Sequence, residues 1–261
     1  MKRVEPQVFL VGETAIIPDG LAAYLQYIGV PDWDTDATSD GERLVELMGR
    51  LCYKSFLPGL NQNVRKIREG NATYIKNIIK QLHGSVIEHA VVNFIFADVS
   101  RVFTHELVRH RVGTATSQES LRFVRLDDLH LWAPTVIREN EEAMEIFAQT
   151  FEYLERLQIQ LAQIFKLDEE GTPFHIKKLI TSAMRRIAPD GLGTAIGWSA
   201  NFRTLRWLLE NRTHPSAEEE IRLVFGKVGE ILLKRYPNIF ADFTVEIVEG
   251  LPFYKPQYSK I

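Results

Sequence analysis

Hydrophobic residues in this 261-residue chain recur mostly at helical spacing, whereas strand-like runs are few and far apart. Residues 90–99 (AVVNFIFADV) are rich in β-branched and aromatic side chains and predict a buried strand. Further strands are predicted within 191–200 and 243–249. Because helices and strands do not alternate in βαβ order, we expect an α+β fold, with a small β-sheet flanked by several long helices in a single domain over 1–261.

Capping residues and apolar stripes delimit the helices. One helix begins at Ser39 or Asp40 and another at Asn71, while Ser100 and Asn201 are placed to cap two more. The predicted helical segments are 39–56, 71–83, 101–110, 139–166, 202–212 and 216–236.

The helix predicted over 139–166 has an acidic start and an apolar stripe that Gln158 interrupts. Such a stripe is typical of a helix packed on a core along one face. Its predicted members are Met144, Phe147, Phe151, Leu154 and Leu161.

Composition is that of an ordinary soluble protein, with 45% hydrophobic and 25% charged residues. No run approaches the roughly eighteen apolar residues of a membrane span. Glu5, Pro6 and Glu13 interrupt any signal-peptide core near the start of the sequence. Cys52 is the only cysteine, so no internal disulfide can form. We therefore expect a cytoplasmic protein without a membrane segment.

Positive charge is concentrated in two segments of a chain whose formal net charge is −3. Residues 101–125 hold five arginines against two glutamates, and residues 174–214 hold seven basic residues against two acidic ones. A nucleic-acid binder would carry a broader basic surface, so no nucleic-acid partner is expected. Local arginine clusters suit small anionic ligands such as phosphates, although two solvated helical faces would give the same pattern.

The segment THELVRHRVGTATSQESLRF (104–123) superficially resembles a zinc-protease helix. Three residues separate Glu106 from His110, one more than that motif allows. His105 and His110 are then about 140° apart around a helix, so they cannot share a metal ion from one face. No metal site is predicted here or elsewhere.

Arg101, His105 and Arg109 are spaced by four residues and are predicted to share one face of the helix over 101–110. This helix would deliver Arg109, His110 and Arg111 where it ends. Cations also stabilise a helix C-terminus electrostatically, so the Arg-His-Arg triplet alone does not establish a binding site.

Four motifs together are more specific than the triplet. Arg109-His110-Arg111, eight residues and then Ser120-x-Arg122 resemble the signature of the flavin-dependent thymidylate synthases. Residues 83–89 (HGSVIEH), 184–189 (MRRIAP) and 198–212 (WSANFRTLRWLLENR) resemble three further family elements, in the family's order. The resemblance spans roughly residues 45–240.

The resemblance implies synthesis of dTMP from dUMP, with FAD as cofactor and with NADPH and 5,10-methylenetetrahydrofolate as co-substrates. It also implies a homotetramer whose active sites lie between subunits. Matched by position, the residues expected to bind FAD are His83, Ser85, Arg109, His110, Arg111, Gln118, Asn201, Arg203 and Trp207. Those expected to bind dUMP are Glu106, Arg109, Gln118, Glu119, Ser120, Arg122, Arg185 and Arg212.

The resemblance also implies that Arg212 is the catalytic residue and faces the uracil, where a fixed cation favours loss of the N3 proton and stabilises charge developing on the ring. Family members of this type are thought to need no enzymic nucleophile. Cys52 fits this chemistry, since it lies within a predicted helix with no neighbour that would activate its thiol.

The chain departs from the family pattern in the spacer after the triplet, which has eight residues where seven is commoner. Gln118 and Glu119 can therefore exchange roles. Glu106 stands where many members have Gln, and Trp207 where a small polar residue or His is common.

Two other classes of function remain open at this point. A different flavoprotein oxidoreductase would use the same arginines for another anionic substrate, and its flavin spectrum would not respond to dUMP. A non-catalytic nucleotide- or RNA-binding module would purify without yellow flavin.

Overall fold

The computed structural model describes residues 1–64 and 66–259, and within them helices outnumber strands. The helices are α1 (Pro18–Tyr27), α2 (Asp40–Tyr53), α3 (Asn71–Lys80), α4 (Arg101–Leu107), α5 (Thr135–Arg138), α6 (Glu141–Ile164), α7 (Phe174–Met184), α8 (Phe202–Arg212) and α9 (Glu219–Arg235). The strands are β1 (Lys2–Arg3), β2 (Gln7–Glu13), β3 (Val91–Ser100), β4 (Thr114–Gln118), β5 (His130–Leu131), β6 (Gly193–Asn201), β7 (Phe243–Val248) and β8 (Leu251–Pro256). Short 3₁₀ turns occupy Gly84–Glu88 and Arg185–Ile187.

Four of these strands form one small sheet in the order β2-β3-β6-β4. Two short pairs accompany it: β1 runs parallel to β5, and β7 is antiparallel to β8. The β7–β8 hairpin closes through Glu249 and Gly250, both at positive φ, as a two-residue hairpin turn requires. A small sheet with long helices confirms the predicted α+β class.

Local capping signals located the helix starts correctly. The Ser39 hydroxyl accepts a hydrogen bond from the Glu42 amide, and the Ser100 hydroxyl accepts one from Phe103. The Asn201 side-chain carbonyl accepts from Thr204 at the start of α8. Each cap satisfies one backbone donor that the first turn of a helix leaves unpaired.

Three details of the sequence interpretation are wrong. α4 ends at Leu107 and not at residue 110, so Arg109 does not share a helix face with Arg101 and His105. β3 is a strand as predicted but is not buried throughout, because its successive side chains point to opposite faces and every second one is more accessible. In α6, Phe147 is exposed and Gln158 is buried, since Gln158 has a backbone partner described below.

The described chain divides into two compact units, each with its own apolar core. That residues 1–261 form a single domain stays a prediction. Unit 1 comprises 1–9, 95–110 and 116–198, and unit 2 comprises 10–94, 111–115 and 199–261. Core residues of unit 1 include Leu121, Leu129, Leu131, Met144, Phe151 and Leu192. Core residues of unit 2 include Phe202, Leu205, Leu209, Phe225, Tyr236 and Phe240.

Candidate active site

Unit 2 brings together residues from two of the four motifs. The 3₁₀ turn Gly84–Glu88 carries Ser85 and follows directly on His83. Arg203, in the first turn of α8, donates from Nη1 to Glu88 Oε1 at 2.5 Å. This contact ties the start of α8 to the turn, so that His83, Ser85 and Arg203 lie in one region of unit 2. Ser85 and Arg203 are exposed and His83 is half-buried, so all three can reach a ligand.

Arg111 joins the same region through the backbone that follows it. The Asn201 amide donates to the carbonyl of Gly113 at 3.1 Å. The Thr204 hydroxyl donates to the carbonyl of Val112 at 2.9 Å. Gly113 has φ +68°, and a Cβ there would lie 2.5 Å from Asn201 and Thr204, so glycine permits this close approach. The exposed Arg111 is thereby held beside the N-terminus of α8.

Helix α8 presents its functional candidates on different faces. Arg203 and Trp207 are four residues apart and share an exposed face, with 47% of Trp207 accessible. Arg212 is nine residues beyond Arg203, about two and a half turns, and therefore points to the opposite side of the helix. Arg206 faces inward and is 3% exposed. Arg203 and Arg212 therefore lie on opposite sides of α8, and Arg206 is buried between the helix and the core.

In unit 1, α4 and the end of β4 come together. The buried Thr104 hydroxyl donates to the carbonyl of Arg101 and accepts from Gln118 Nε2 at 3.1 Å. Glu106 is half-buried near the end of α4. The exposed Arg109 lies just beyond the helix, where its amide donates to the carbonyl of Glu106 at 3.2 Å. His110 follows and is half-buried.

Glu119 secures the point where the chain leaves β4. Its amide donates to the carbonyl of Ala195 on β6 at 3.0 Å. Its carboxylate Oε2 accepts from the Ala195 amide at 2.9 Å and from the Thr194 hydroxyl at 3.3 Å. The side chain thus takes the place of a backbone carbonyl at the end of the ladder. Glu119 is therefore engaged with β6 in this structure, and Gln118 with α4.

Ser120 and Arg122 lie in the turn that follows. The amides of Phe123 and Val124 donate to the carbonyl of Ser120 at 2.9 and 3.0 Å. Leu121 is buried in the core of unit 1, and the Arg122 side chain is exposed. The buried Leu121 therefore fixes the backbone of this turn, and the Arg122 side chain extends from it into solvent.

The position of Arg185 depends on Gln158, the residue that interrupts the predicted apolar stripe of α6. Gln158, 3% exposed on α6, donates from Nε2 to the carbonyl of Met184 at 3.2 Å. This bond fixes the end of α7, and the exposed Arg185 comes next. The sequence did contain a signal for this contact. A single amide side chain in an apolar stripe indicates a buried polar group, and such a group needs a hydrogen-bond partner.

The residues present in unit 2 fit a flavin cofactor. A dinucleotide offers a pyrophosphate, and Arg111 and Arg203 supply permanent cations that can bind phosphate oxygens. Ser85 and His83 add hydrogen-bonding groups, and Trp207 adds an exposed aromatic surface. No grouping of three or more His, Cys, Asp or Glu side chains suited to a metal ion occurs in residues 1–64 and 66–259. No helix in that part of the chain is long and apolar enough to cross a membrane.

Comparison with solved structures agrees with this fold. Thymidylate synthase X from Helicobacter pylori, crystallised with FAD and dUMP, superimposes with a TM-score of 0.53. The match covers 90% of this chain and 95% of that one, at 18% sequence identity. At this identity the likeness establishes the fold.

Sequence comparison goes further. Residues 35–238 match the family described as "Thymidylate synthase complementing protein". A flavin-dependent thymidylate synthase from Mycolicibacterium gilvum is 34% identical over 245 residues, which cover 90% of this chain and 93% of that protein. One from Corynebacterium diphtheriae is 32% identical, covering 83% and 85%. This chain belongs to the flavin-dependent thymidylate synthase family.

Proposed function

We propose that this chain converts dUMP to dTMP, with the methylene group of 5,10-methylenetetrahydrofolate as carbon source and NADPH as reductant through FAD. Family membership carries the proposal, together with the arrangement of the motif residues. Unit 2 gathers His83, Ser85 and Arg203 in one region, and unit 1 joins Gln118 to α4.

The two units divide the expected ligand contacts between them. Residues matched to FAD lie mostly in unit 2, and residues matched mainly to dUMP lie mostly in unit 1. Arg122 and Arg185 are exposed and suited to the nucleotide phosphate. Glu106 would accept a hydrogen bond from the base or ribose but, while ionised, cannot donate one.

Bound FAD would supply the hydride chemistry that links NADPH to the uracil ring, which no amino-acid side chain provides. The chain contributes orientation and electrostatics. Arg203 and Arg111 would hold the cofactor, Arg109 would contact both flavin and nucleotide, and Arg212 would stabilise negative charge on the uracil.

Tritium release from 5-tritiated dUMP under anaerobic conditions tests the reaction directly, with methylenetetrahydrofolate, NADPH and FAD all present. Omission of the folate separates methylation from simple NADPH oxidation. A yellow protein that oxidises NADPH but releases no tritium would support a different flavoprotein oxidoreductase instead.

Active sites shared between subunits are part of the proposal. The faces of α8 support it, because Arg203 and Arg212 point in opposite directions about 13 Å apart along the helix axis, at 1.5 Å per residue. A single copy of α8 therefore does not present both arginines to one small ligand from the same side. Two copies of the chain could.

The assembly is expected to be a homotetramer of about 120 kDa, four copies of the 30.0 kDa chain, since closed symmetric assembly is the usual form of soluble oligomers. Light scattering coupled to size exclusion measures this mass. A 30 kDa species that binds FAD tightly would contradict the shared site.

Arg109 and Arg122 should differ in what they bind. Arg109→Ala is expected to weaken both FAD and dUMP, and Arg122→Ala mainly dUMP. Loss of one charge-assisted contact of about 1.5–3 kcal/mol lowers affinity roughly ten- to hundredfold. Separate titrations of FAD and dUMP into each variant check the assignment, and equal loss of FAD affinity in both would refute it.

A cytoplasmic location completes the proposal. The sole cysteine, Cys52, is exposed and unpaired, which suits a reducing compartment. Fractionation of cells that express the tagged chain tests the location.

A further inference from the structure

Two cavities of unit 2 share part of their lining. The smaller one has a volume of about 210 Å³ and reaches His83. The larger one has a volume of about 840 Å³ and extends past Trp33 and Phe56. Both are lined by Arg50 and by residues 66–68, so a ligand chain could pass from one to the other along this shared wall.

The inner end of this path is aromatic. The rings of Tyr53 and His83 stack with centroids 6.2 Å apart and an interplanar angle of 22°. Both rings line the smaller cavity, and Tyr53 is 47% exposed. A flat apolar group can pack here, beside a residue that is matched to the flavin.

The shared wall is held in place by a buried guanidinium. Arg50 is 4% exposed and donates to Glu46 Oε1 at 2.6 and 2.8 Å, with its guanidinium 4.6 Å from the centre of the Tyr74 ring. The same group donates to the carbonyl of Ser55 at 2.7 Å and to that of Arg68 at 2.8 Å. Four groups converge on Arg50, and its bond to the carbonyl of Arg68 fixes the backbone at residue 68.

Lys66 and Arg68 provide the positive charge on this wall. Both side chains are exposed, and neither forms an ion pair within residues 1–64 and 66–259. Three of the four carboxylates that line the larger cavity are engaged within the unit, and the fourth, Glu69, is exposed beside Arg68. Glu46 binds Arg50, Asp34 binds Arg43 at 2.9 Å, and Asp36 accepts from the Asn71 amide at 2.6 Å.

An aromatic pocket followed by two open cations suits an elongated ligand with a flat ring at one end and carboxylates at the other. Among the substrates of the proposed reaction, the folate has this form, because its aminobenzoyl ring leads into a glutamate tail. We infer that the two cavities bind that tail, with Lys66 and Arg68 holding γ-linked glutamate carboxylates. This inference rests on the proposed function and predicts a preference for polyglutamylated folate.

The test compares folates with one and three glutamates. Calorimetry measures binding of folic acid mono- and triglutamate to the FAD-loaded, dUMP-bound enzyme, and tritium release gives KM for the corresponding methylene derivatives. The variant K66Q/R68Q removes both cations. The matched control K76Q/K80Q removes two exposed charges from α3, in the same unit but outside both cavities.

For the wild type, both the Kd and the KM of the triglutamate should be about tenfold lower than those of the monoglutamate. Each exposed ion pair contributes little, so a measurable preference requires the additional carboxylates of the longer tail. K66Q/R68Q should reduce this preference to about threefold or less, with affinities for FAD and dUMP unchanged. The control should keep it.

An unchanged preference in K66Q/R68Q, an equal loss in the control, or no preference in wild type would overturn the inference. These outcomes are distinct from failure of the proposed function, in which wild type releases no tritium from either folate. Calorimetry still reports tail binding in that case.

Discussion

Replacing Arg212 with alanine should lower turnover by two or more orders of magnitude and leave the protein yellow. Removal of one preorganised electrostatic stabiliser costs about 2.7–4 kcal/mol of transition-state stabilisation. Two of the residues matched to FAD, Asn201 and Arg203, lie at the N-terminal end of α8, whereas Arg212 ends the helix, so flavin content should persist. Tritium release and flavin absorbance, measured on the same preparation, separate the two effects.

Two companion variants make this prediction specific. Arg212→Lys should recover little activity, because an ammonium keeps the charge but loses the planar fork of the guanidinium. Cys52→Ala should retain most of the turnover, since the exposed Cys52 is not expected to attack the uracil. If Arg212 only compensates the dipole of α8, its loss would cost about 0.3–1 kcal/mol of stability and no activity. A fully active Arg212→Ala enzyme would support that simpler role.

Replacing Arg206 with alanine should lower the free energy of unfolding by about 3–5 kcal/mol, because a buried charge then loses its partner. Arg206 donates to both oxygens of Asp242, at 2.7 and 2.9 Å, and to the carbonyl of Ile239 at 2.6 Å. Asp242 is 10% exposed and would be left without its guanidinium. Denaturant titration of the apoprotein measures the loss.

Arg203→Ala is the matched control on the same helix. Its pair with Glu88 is exposed, and such pairs contribute about 1 kcal/mol or less. It should therefore fold almost normally but bind FAD poorly, the reverse of Arg206→Ala. If the unpaired Asp242 carboxylate causes the instability, adding Asp242→Asn to the Arg206→Ala variant should recover part of the lost stability. Equal destabilisation by Arg203→Ala and Arg206→Ala would contradict this division of roles.

Helices with strong local signals were predictable from the sequence. α2 and α8 begin at side-chain caps and carry regular apolar stripes, so neighbouring residues alone specify them. α1 has no side-chain cap at Ile17, and the sequence interpretation missed it. β4 was missed because its residues Thr-Ala-Thr-Ser-Gln are polar and mostly exposed, so its strand conformation comes from pairing with β6.

The sequence also predicted which residues belong to the candidate site, but not how they are arranged. Motif spacing identified which residues to consider, but not what their side chains contact. The bond from Gln118 to Thr104 spans 14 residues, and the bond from Glu119 to Ala195 spans 76. Partners that far apart in sequence meet only through the tertiary fold. For the same reason the buried Gln158 could not be assigned its partner, Met184.

The anchors on either side of β4 limit how the length of this segment can change during evolution. Gly113 is bonded to the start of α8, and Glu119 is bonded to β6 on both its backbone and its side chain. Deletion of a single intervening residue would reverse which face of the strand each later side chain occupies, unless a bulge absorbed the difference. A change of one residue, such as the difference between this eight-residue spacer and the commoner seven, should therefore be accompanied by a bulge between the two anchors.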